Sequence, residues 1–591
     1  MESAARRVVV VGAGLGGTAT AIRLLQFARE PVEVVLVERR PEYRNAGVAY
    51  HRAGNHWHHV FNIQAGRMAV FREDVDDFVR WANHEADRTG WPEPWRDREF
   101  TESGPAPRRI YPDYLADRLA AAVREATPGA TLAQVDGEVV DIELVGDRLR
   151  ITVQDGDQRT PVTADHVVVA TGLEKRRPVF AESVVDHPAF VRDPYSHHGI
   201  DRILALPPEA EVAVVGTLLS AYDSAALLLR RGHTGPIHMI SRSGLTLRTY
   251  PSDHRHRVLT LPPPELRADV YEGRDALVQR VKAEWDRACA AVARDHPDVS
   301  PVVVTERVSK SWEPHLPEIL RRVPSADLRA LLDSYGSLLA TLRVNAVAYT
   351  TEIVDAAMRD TGQITVTTGK VERVEDAGGG RLAVCTSTRT IEADLVISNF
   401  GRESDYARVD SALWSALLRK GMAVPHQRTG RGVEVDEHGT LLGADGRPAG
   451  PLSVIGSPRE GDEIVRNGRT GAFTFNLAAI KNHSVGVAAA ILRRLESCYD
   501  HRADAEVADP EAVKTEVRRM AARTRAEREA LSRQLDARVT HPAHRHAVNA
   551  AATDRLNDLS VTPRELRTNL GLADTPSGTV EDATPSDRLP A

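Results

Sequence analysis

Four consecutive valines, Val8-Val-Val-Val11, run into Gly12-Ala-Gly14-Leu-Gly-Gly17, and the chain then takes helical spacing through residues 18–25. A second apolar run, Val32-Glu-Val-Val-Leu-Val37, ends at Glu38. Solid apolar runs bounded by a glycine turn predict buried parallel strands, and the stretch between them predicts the crossover helix. The same pattern returns as Val212-Ala-Val-Val-Gly216-Thr-Leu218-Leu-Ser220-Ala221, a helical run to Arg231, and Ile237-His-Met-Ile240 followed by Ser241-Arg242. In both copies the residue after the second strand lies 26 positions past the first glycine of the turn. One copy places an acid there, the other a base.

Between the copies, residues 41–135 read as loop-rich with a helix around 74–83. Alternation over 139–144 and 148–153 predicts paired strands, and His166-Val-Val-Val-Ala170 predicts a buried strand closing on Thr171-Gly172. After the second copy, residues 266–342 carry helical spacing throughout. Strand character returns at 364–368, 382–386, 394–398 and 454–456, and 470–492 predicts a closing helix. Residues 509–538 read as a charged amphipathic helix, and Thr562-Pro563 as the start of another. The tail from 574 has a disordered composition. The fold class expected is α/β, with two Rossmann-like dinucleotide-binding domains, the second inserted in the first, plus a helical C-terminal extension. The corresponding bounds are 1–205 and 395–500 for the first domain, 206–394 for the second, 501–573 for the extension and 574–591 for the tail.

Composition changes this picture little. A chain of 591 residues accommodates two large domains and an appendage. The net charge of −7 is mild and spread, so no nucleic-acid or membrane partner is expected. Cys289, Cys385 and Cys498 are isolated and form no CxxC, which argues against a dithiol–disulfide reductase and a cysteine zinc site. With no disulfide framework, signal-peptide plan or spanning apolar stretch, the expected location is the cytoplasm. The histidine groups at 56–59, 253–256 and 541–546 lack metal-ligand spacing, and no metal is expected.

The first turn carries specific chemistry. Gly12 allows the tight turn, Gly14 lets backbone approach a pyrophosphate, and Gly17 lets helix pack on strand. Glu38 stands where an acid accepts hydrogen bonds from a ribose hydroxyl. In the second turn Gly216 is kept and Ser220 opens the helix, but Leu218 replaces the glycine at the phosphate approach and is expected to obstruct it. Arg242, in register with Glu38, suits a 2′-phosphate and favours NADPH, with NADH possible. The alternative for Arg242 is a solvated surface arginine on a remnant domain.

The chain also contains Gly47-Val-Ala-Tyr50, Asn62-Ile-Gln64-Ala-Gly-Arg67-Met68, Asp76-Asp-Phe-Val-Arg-Trp81, Arg109-Ile-Tyr-Pro-Asp-Tyr-Leu115, Ala170-Thr171-Gly172 and Leu452-Ser-Val-Ile-Gly456. With the turns, these motifs resemble bacterial FAD/NAD(P)-binding flavoproteins across residues 5–495. The branch most similar is the amino-acid N-monooxygenases, in particular the nitrosuccinate-forming L-aspartate N-monooxygenases. The resemblance implies FAD in the first domain, NADPH as reductant, dioxygen and a small amino-acid substrate, and a possible homo-oligomer. It implies oxidation of the L-aspartate amine through N-hydroxyaspartate to nitrosuccinate, in antibiotic or other natural-product biosynthesis. Asn62, Gln64, Met68, Thr171, Gly172 and Gly456 would then contact FAD, and Arg67, Lys481 and His483 would serve the substrate or the chemistry. Two stretches depart from the family: Leu218, and residues 342–349, which lack a His-Arg-His-Arg-like segment. Two other readings stay open: another flavin-dependent oxidoreductase, on a different amine or as an NAD(P)H oxidase, and a non-catalytic flavoprotein whose 505–572 helices bind a partner.

Overall fold

The computed structural model describes residues 5–72, 74–254, 259, 261–268, 271–399, 401–469 and 477–497. The helices expected at 509–538 and from 562, and the tail, lie outside the described residues. The chain opens with β1 (Arg6–Val11), α1 (Leu15–Phe27) and β2 (Val32–Glu38). It continues through α2 (Asp77–His84), α3 (Tyr111–Glu125), β3 (Thr131–Asp136), the hairpin strands β4 (Glu138–Val145), β5 (Arg148–Asp155) and β6 (Gln158–Ala164), and β7 (His166–Val169). A second unit follows with β8 (Phe190–Val191), β9 (Val212–Val215), α4 (Leu219–Arg230) and β10 (Ile237–Ser241). Its helical part holds α5 (Arg274–Asp295), α6 (Val304–Trp312), α7 (Leu316–Arg322), α8 (Ser325–Arg343) and α9 (Ala348–Arg359). Strands β11 (Ile364–Thr368), β12 (Val371–Gly378), β13 (Arg381–Thr386), β14 (Thr390–Ala393) and β15 (Leu395–Ser398) complete it. The chain then returns through α10 (Ala412–Arg419), β16 (Thr440–Leu442), β17 (Pro448–Val454), α11 (Glu460–Asn467) and α12 (Leu477–Leu495).

Two sheets share one plan. The first runs β16-β17-β7-β1-β2-β3, with β1 parallel to both β2 and β7 and β17 parallel to β7. The second runs β11-β10-β9-β15-β8, with β9 parallel to β10 and β15. In each sheet the strand that runs into the glycine turn, β1 or β9, sits between the next strand of its βαβ unit and a later one. The crevice at that topological switch point is where open α/β sheets bind ligands. Because β17 follows the whole second unit, that unit is inserted in the first, as expected. The second sheet takes β8 before residue 206 and β15 after residue 394, so it is wider than the expected bounds.

The valine run shows how the core is divided. Val8 and Val10 pack with Ile22, Leu25, Ile491 and Leu492, while Val9 and Val11 pack on the opposite face with Ile151, Trp414 and Leu452. Each fully buried side chain of this kind contributes about 1.5 kcal/mol or more. α1 is thus enclosed between the sheet and α12.

Several elements differ from the expected plan. The 41–135 stretch contains α3, whose buried Tyr111, Tyr114, Leu115, Leu119 and Ala122 follow helical spacing behind a proline in the first turn. β3 was not expected because it is a polar edge strand with no fully buried residue. The 266–342 stretch divides where Pro301 and Pro324 each begin a new segment, since proline has no amide to continue a helix. α12 begins at Leu477, with 470–476 outside the described residues. No helix among the described residues is long and apolar enough to cross a membrane.

Candidate functional site

The first glycine turn is held by backbone. Gly12 has φ of 99°, donates its N–H to Val37 O at 2.8 Å, and would drive a Cβ to 2.5 Å from Ala170 O. A Cβ on Gly17 would lie 1.8 Å from Gly12 O, so this glycine serves helix–strand contact and faces no ligand space. Gly14 opens α1 in extended backbone, and a Cβ there would lie 3.1 Å from Gly47 Cα. Glu38 is 6% exposed and accepts from Ala13 N at 2.8 Å and Arg40 N at 3.1 Å. Burial raises its carboxyl pKa, and those two N–H groups oppose the rise.

The second turn repeats the construction. Gly216 has φ of 128° and donates to Ile240 O at 2.8 Å. Asn399 N donates to Val215 O at 3.0 Å as Ala170 N donates to Val11 O at 2.8 Å, so Asn399 is the counterpart of Ala170. Leu218 opens α4 with φ of −112° and ψ of −159°, the extended conformation of Gly14, which any residue adopts. The leucine therefore leaves the turn intact and changes only what projects from it. The Asn399 Nδ2 is shielded from solvent and finds no acceptor among the described residues.

Both turns face one cleft of about 1250 Å³. A single small-molecule pocket typically measures roughly 300–1,000 Å³, so this one has room for more than one ligand. Gly12, Gly14, Glu38, Asn62, Met68, Thr171, Gly172, Ser220, Arg242 and Gly456 all border it. Gly17, Gln64, Arg67, Gly216, Lys481 and His483 are not on its wall. The loop carrying Asn62 and Met68 is fixed by α3: Tyr111 Oη donates to Met68 O at 2.9 Å, and Val70 N donates to Tyr114 Oη at 2.9 Å. Trp414 Nε1 donates to Thr171 Oγ1 at 3.1 Å. Arg242 is exposed.

Gln64 is 3% exposed, and neither its amide oxygen nor its nitrogen has a partner among the described residues. A buried amide in that state costs about 1–3 kcal/mol per unsatisfied group unless a ligand or water engages it. The glycine cradle and Glu38, which border the cleft, fit a flavin dinucleotide at the first turn, and Gln64 lies behind that wall. Gly216, Asn399 and Arg242 fit a second dinucleotide. Arg67 has a shielded Nη1 with no partner among the described residues. It acts electrostatically on Tyr250 and His254, whose rings stack at 4.4 Å. Tyr250 Oη donates to Glu306 Oε2 at 2.7 Å, and Glu306 pairs with Lys310, so the loop meets the helical part of the second unit through a buried polar cluster. Burial pushes the His254 pKa down to about 4 and keeps the ring neutral. Among the described residues no group of His, Cys, Asp and Glu is placed to hold a metal ion.

His483 lies behind the cleft wall with both ring nitrogens engaged. Gly456 N donates to Nδ1 at 3.1 Å, which places the proton on Nε2 for donation to Glu463 at 2.7 Å. Burial keeps the ring neutral. Burial alone would raise the Glu463 carboxyl, but Arg469 and His483 outweigh it and hold the pKa at about 2 against an ordinary 4.5. The ionised carboxylate therefore stabilises the fold fully above pH 4.5, and the contribution disappears as pH falls through about 2. Glu463→Gln is expected to cost about 2 kcal/mol at pH 7, read by denaturant unfolding. The deficit should shrink between pH 4.5 and 2. A deficit unchanged across that window would contradict an ionised Glu463.

The residues that sequence reasoning did not single out are Arg108, Tyr195, Asp223 and Asn399. The first three are joined by side-chain bonds. Their partners are far apart in the chain, and no spacing rule could pair them.

Residues 9–174 match the model of the FAD-NAD(P)-binding family, which places the first turn within a dinucleotide-binding segment. No curated protein matches the chain by sequence. Among solved structures the chain is similar to ornithine hydroxylase from Pseudomonas aeruginosa in its reduced form. The two share 16% identity over 83% of this chain and 100% of that one, with a TM-score of 0.51. A second structure of that hydroxylase gives a TM-score of 0.50 at the same identity and coverage. L-lysine 6-monooxygenase from Pseudomonas syringae is similar at 15% identity over 83% and 99% of the two chains, with a TM-score of 0.49. At these identities the likeness is one of fold.

Proposed function

We propose that the protein is an FAD- and NADPH-dependent N-monooxygenase that oxidises the amine of L-aspartate through N-hydroxyaspartate to nitrosuccinate. The observation that carries the reading is the shared cleft: two dinucleotide turns built alike, one with an acid and one with a base at the matched position, opening on one space. Gly12, Gly14 and Glu38 would hold the FAD pyrophosphate and ribose, with Asn62 and Met68 beside the ring and Gln64 behind them. Gly216, Ser220, Asn399 and Arg242 would hold NADPH. The flavin supplies hydride acceptance from the nicotinamide and activation of dioxygen.

The protein's own tasks are positioning and exclusion of water. Tyr111 and Tyr114 fix the loop from Asn62 to Val70, so its side chains are preorganised along the cleft. The fold shared with ornithine hydroxylase supports amine oxidation as the reaction class. For aspartate, two carboxylates need cationic partners, and arginine binds carboxylate best through paired N–H donors. Arg67, one residue before Met68 but behind the cleft wall, would have to turn its shielded Nη1 toward the cleft to serve as one of them. A second reading, a non-catalytic flavoprotein whose flavin no nicotinamide reduces, is favoured by Leu218 at the mouth of the second turn.

The test is reduction of the flavin by NADPH or NADH without oxygen, then air with a panel of amino acids and diamines. Expected is faster reduction by NADPH, and an aspartate-dependent product whose mass shows added oxygen on nitrogen. Peroxide alone with every amine would replace the reading by an oxidase. N-oxygenated ornithine or lysine without any aspartate product would correct the substrate. A flavin that no nicotinamide reduces would remove the enzyme reading.

A further inference from the structure

One buried side-chain network crosses from the first unit to the second. Arg108 Nη2 donates to Asp223 Oδ2 at 2.7 Å and also reaches Asn62 Oδ1. Tyr195 Oη donates to the same Asp223 oxygen at 2.6 Å, and the Ser220 side chain is near enough to act on the Tyr195 hydroxyl. The Arg108 guanidinium lies 5.5 Å from the centre of the Tyr195 ring. Arg108 and Asp223 are 7% and 5% exposed, yet Asn62, Arg108, Tyr195 and Ser220 all border the cleft. Burial pushes the Asp223 carboxyl upward, while Arg108 and Tyr195 pull it back.

The placement of these residues gives the network a direction. Asp223 is on α4 one turn below Ser220, at the helix end that opens the second glycine turn. Arg108 stands just before α3, the helix whose tyrosines hold the Asn62–Met68 loop. Tyr195 lies in the connection between β8 and β9 of the second sheet. Its carbonyl is bonded to His51 Nε2 at 2.8 Å. Burying an ion pair is a poor way to gain stability, since an apolar pair of similar volume usually does as well or better. What a buried, branched pair supplies is a fixed relative position.

We infer that Arg108, Asp223 and Tyr195 are positioning residues that couple occupancy of the second nucleotide site, at the start of α4, to the placement of Asn62 on the flavin side of the cleft. The inference rests on the two-dinucleotide reading above but not on the identity of the amine. A bound pyridine nucleotide that presses on Leu218 and Ser220 would shift α4 or fix it. Asp223 would then carry that change to Arg108 and Asn62 through two hydrogen bonds.

The experiment uses FAD-loaded protein, with Asp223→Asn, Tyr195→Phe and the double variant Arg108→Met/Asp223→Leu. The double variant removes both charges together, so no unpaired buried charge is left to prevent folding. NADP+ is the probe, added with no amine or oxygen. In the wild type it is expected to perturb the visible flavin spectrum and to slow amide exchange in residues 59–68 by about threefold or more. In Asp223→Asn and the double variant both responses should vanish while calorimetry still detects NADP+ binding. Flavin reduction at saturating NADPH should fall by about tenfold or more, with Tyr195→Phe intermediate. Folded variants with wild-type spectral response, exchange protection and reduction rate would overturn the inference and leave the network a staple between the two units. A wild type that binds NADP+ with neither response would overturn it as well, and one that binds no pyridine nucleotide overturns it together with the proposed function. If no amine yields product but the NADP+ responses persist in the wild type and vanish in the variants, only the N-monooxygenase reading fails.

Discussion

Gly12→Ala is expected to give a protein that purifies without the yellow colour of bound flavin. Two physical costs coincide at this position. The backbone sits at φ of 99°, where a residue with a Cβ pays about 1–3 kcal/mol. The added carbon would also stand 2.5 Å from the carbonyl oxygen of Ala170. That carbonyl cannot yield easily, because the Ala170 amide is bonded to Val11 O and β7 lies between β1 and β17. The turn itself must therefore open, moving Ala13 N away from Glu38 and the start of α1 away from the cleft. Loss of about 3 kcal/mol in FAD affinity corresponds to more than a hundredfold in Kd, enough to strip the cofactor on desalting. FAD content per chain, fluorescence titration of added FAD and thermal unfolding measure the outcome.

Gly90→Ala is the control. It has φ of 79° but nothing within 4 Å of the added carbon, so it carries backbone strain without a clash. It should lower stability by about 1 kcal/mol and keep its flavin. A Gly12→Ala protein with full FAD content would mean that the first turn is not where the flavin binds.

How far the sequence revealed the fold depended on whether a residue's partner was local. The glycine turns, the flanking apolar strands and the 26-residue register are local patterns, and both sheets formed around them. α3 was equally local but lay in a stretch dominated by loop residues, and its tyrosines show their purpose only when Met68 and Val70 are seen beside them. β3 could not be read because an edge strand without buried residues carries no apolar signature. For the site, Gly12, Gly14, Glu38, Met68 and Arg242 were legible as motif positions. Arg108 with Asp223, and Gly456 with His483, are pairs separated by long stretches of chain, so only the folded structure brings them together. His483 illustrates the gap: its type and position suggested chemistry at the substrate, whereas its two bonds tie Gly456 to Glu463.

Arg242→Ala is expected to weaken NADPH far more than NADH. Arg242 follows β10 in register with Glu38, is exposed and borders the cleft, so it is available to a 2′-phosphate without first breaking a buried contact. A hydrogen bond to a charged group contributes about 1.5–3 kcal/mol, which predicts a rise of roughly 10- to 150-fold in the NADPH concentration for half-maximal flavin reduction. NADH lacks the phosphate and should change by no more than about twofold. The same comparison decides what Leu218 does. Its backbone matches that of Gly14, so the turn can still present Gly216 and the start of α4 to a pyrophosphate while the leucine side chain displaces the ligand from the position taken at the first turn. If so, the phosphate at the far end of the nucleotide bears more of the binding, and the Arg242 effect should lie near the upper end of the range. Equal losses for the two coenzymes would show that Arg242 contributes general charge only, and that Leu218 has left the second turn without a specific phosphate site.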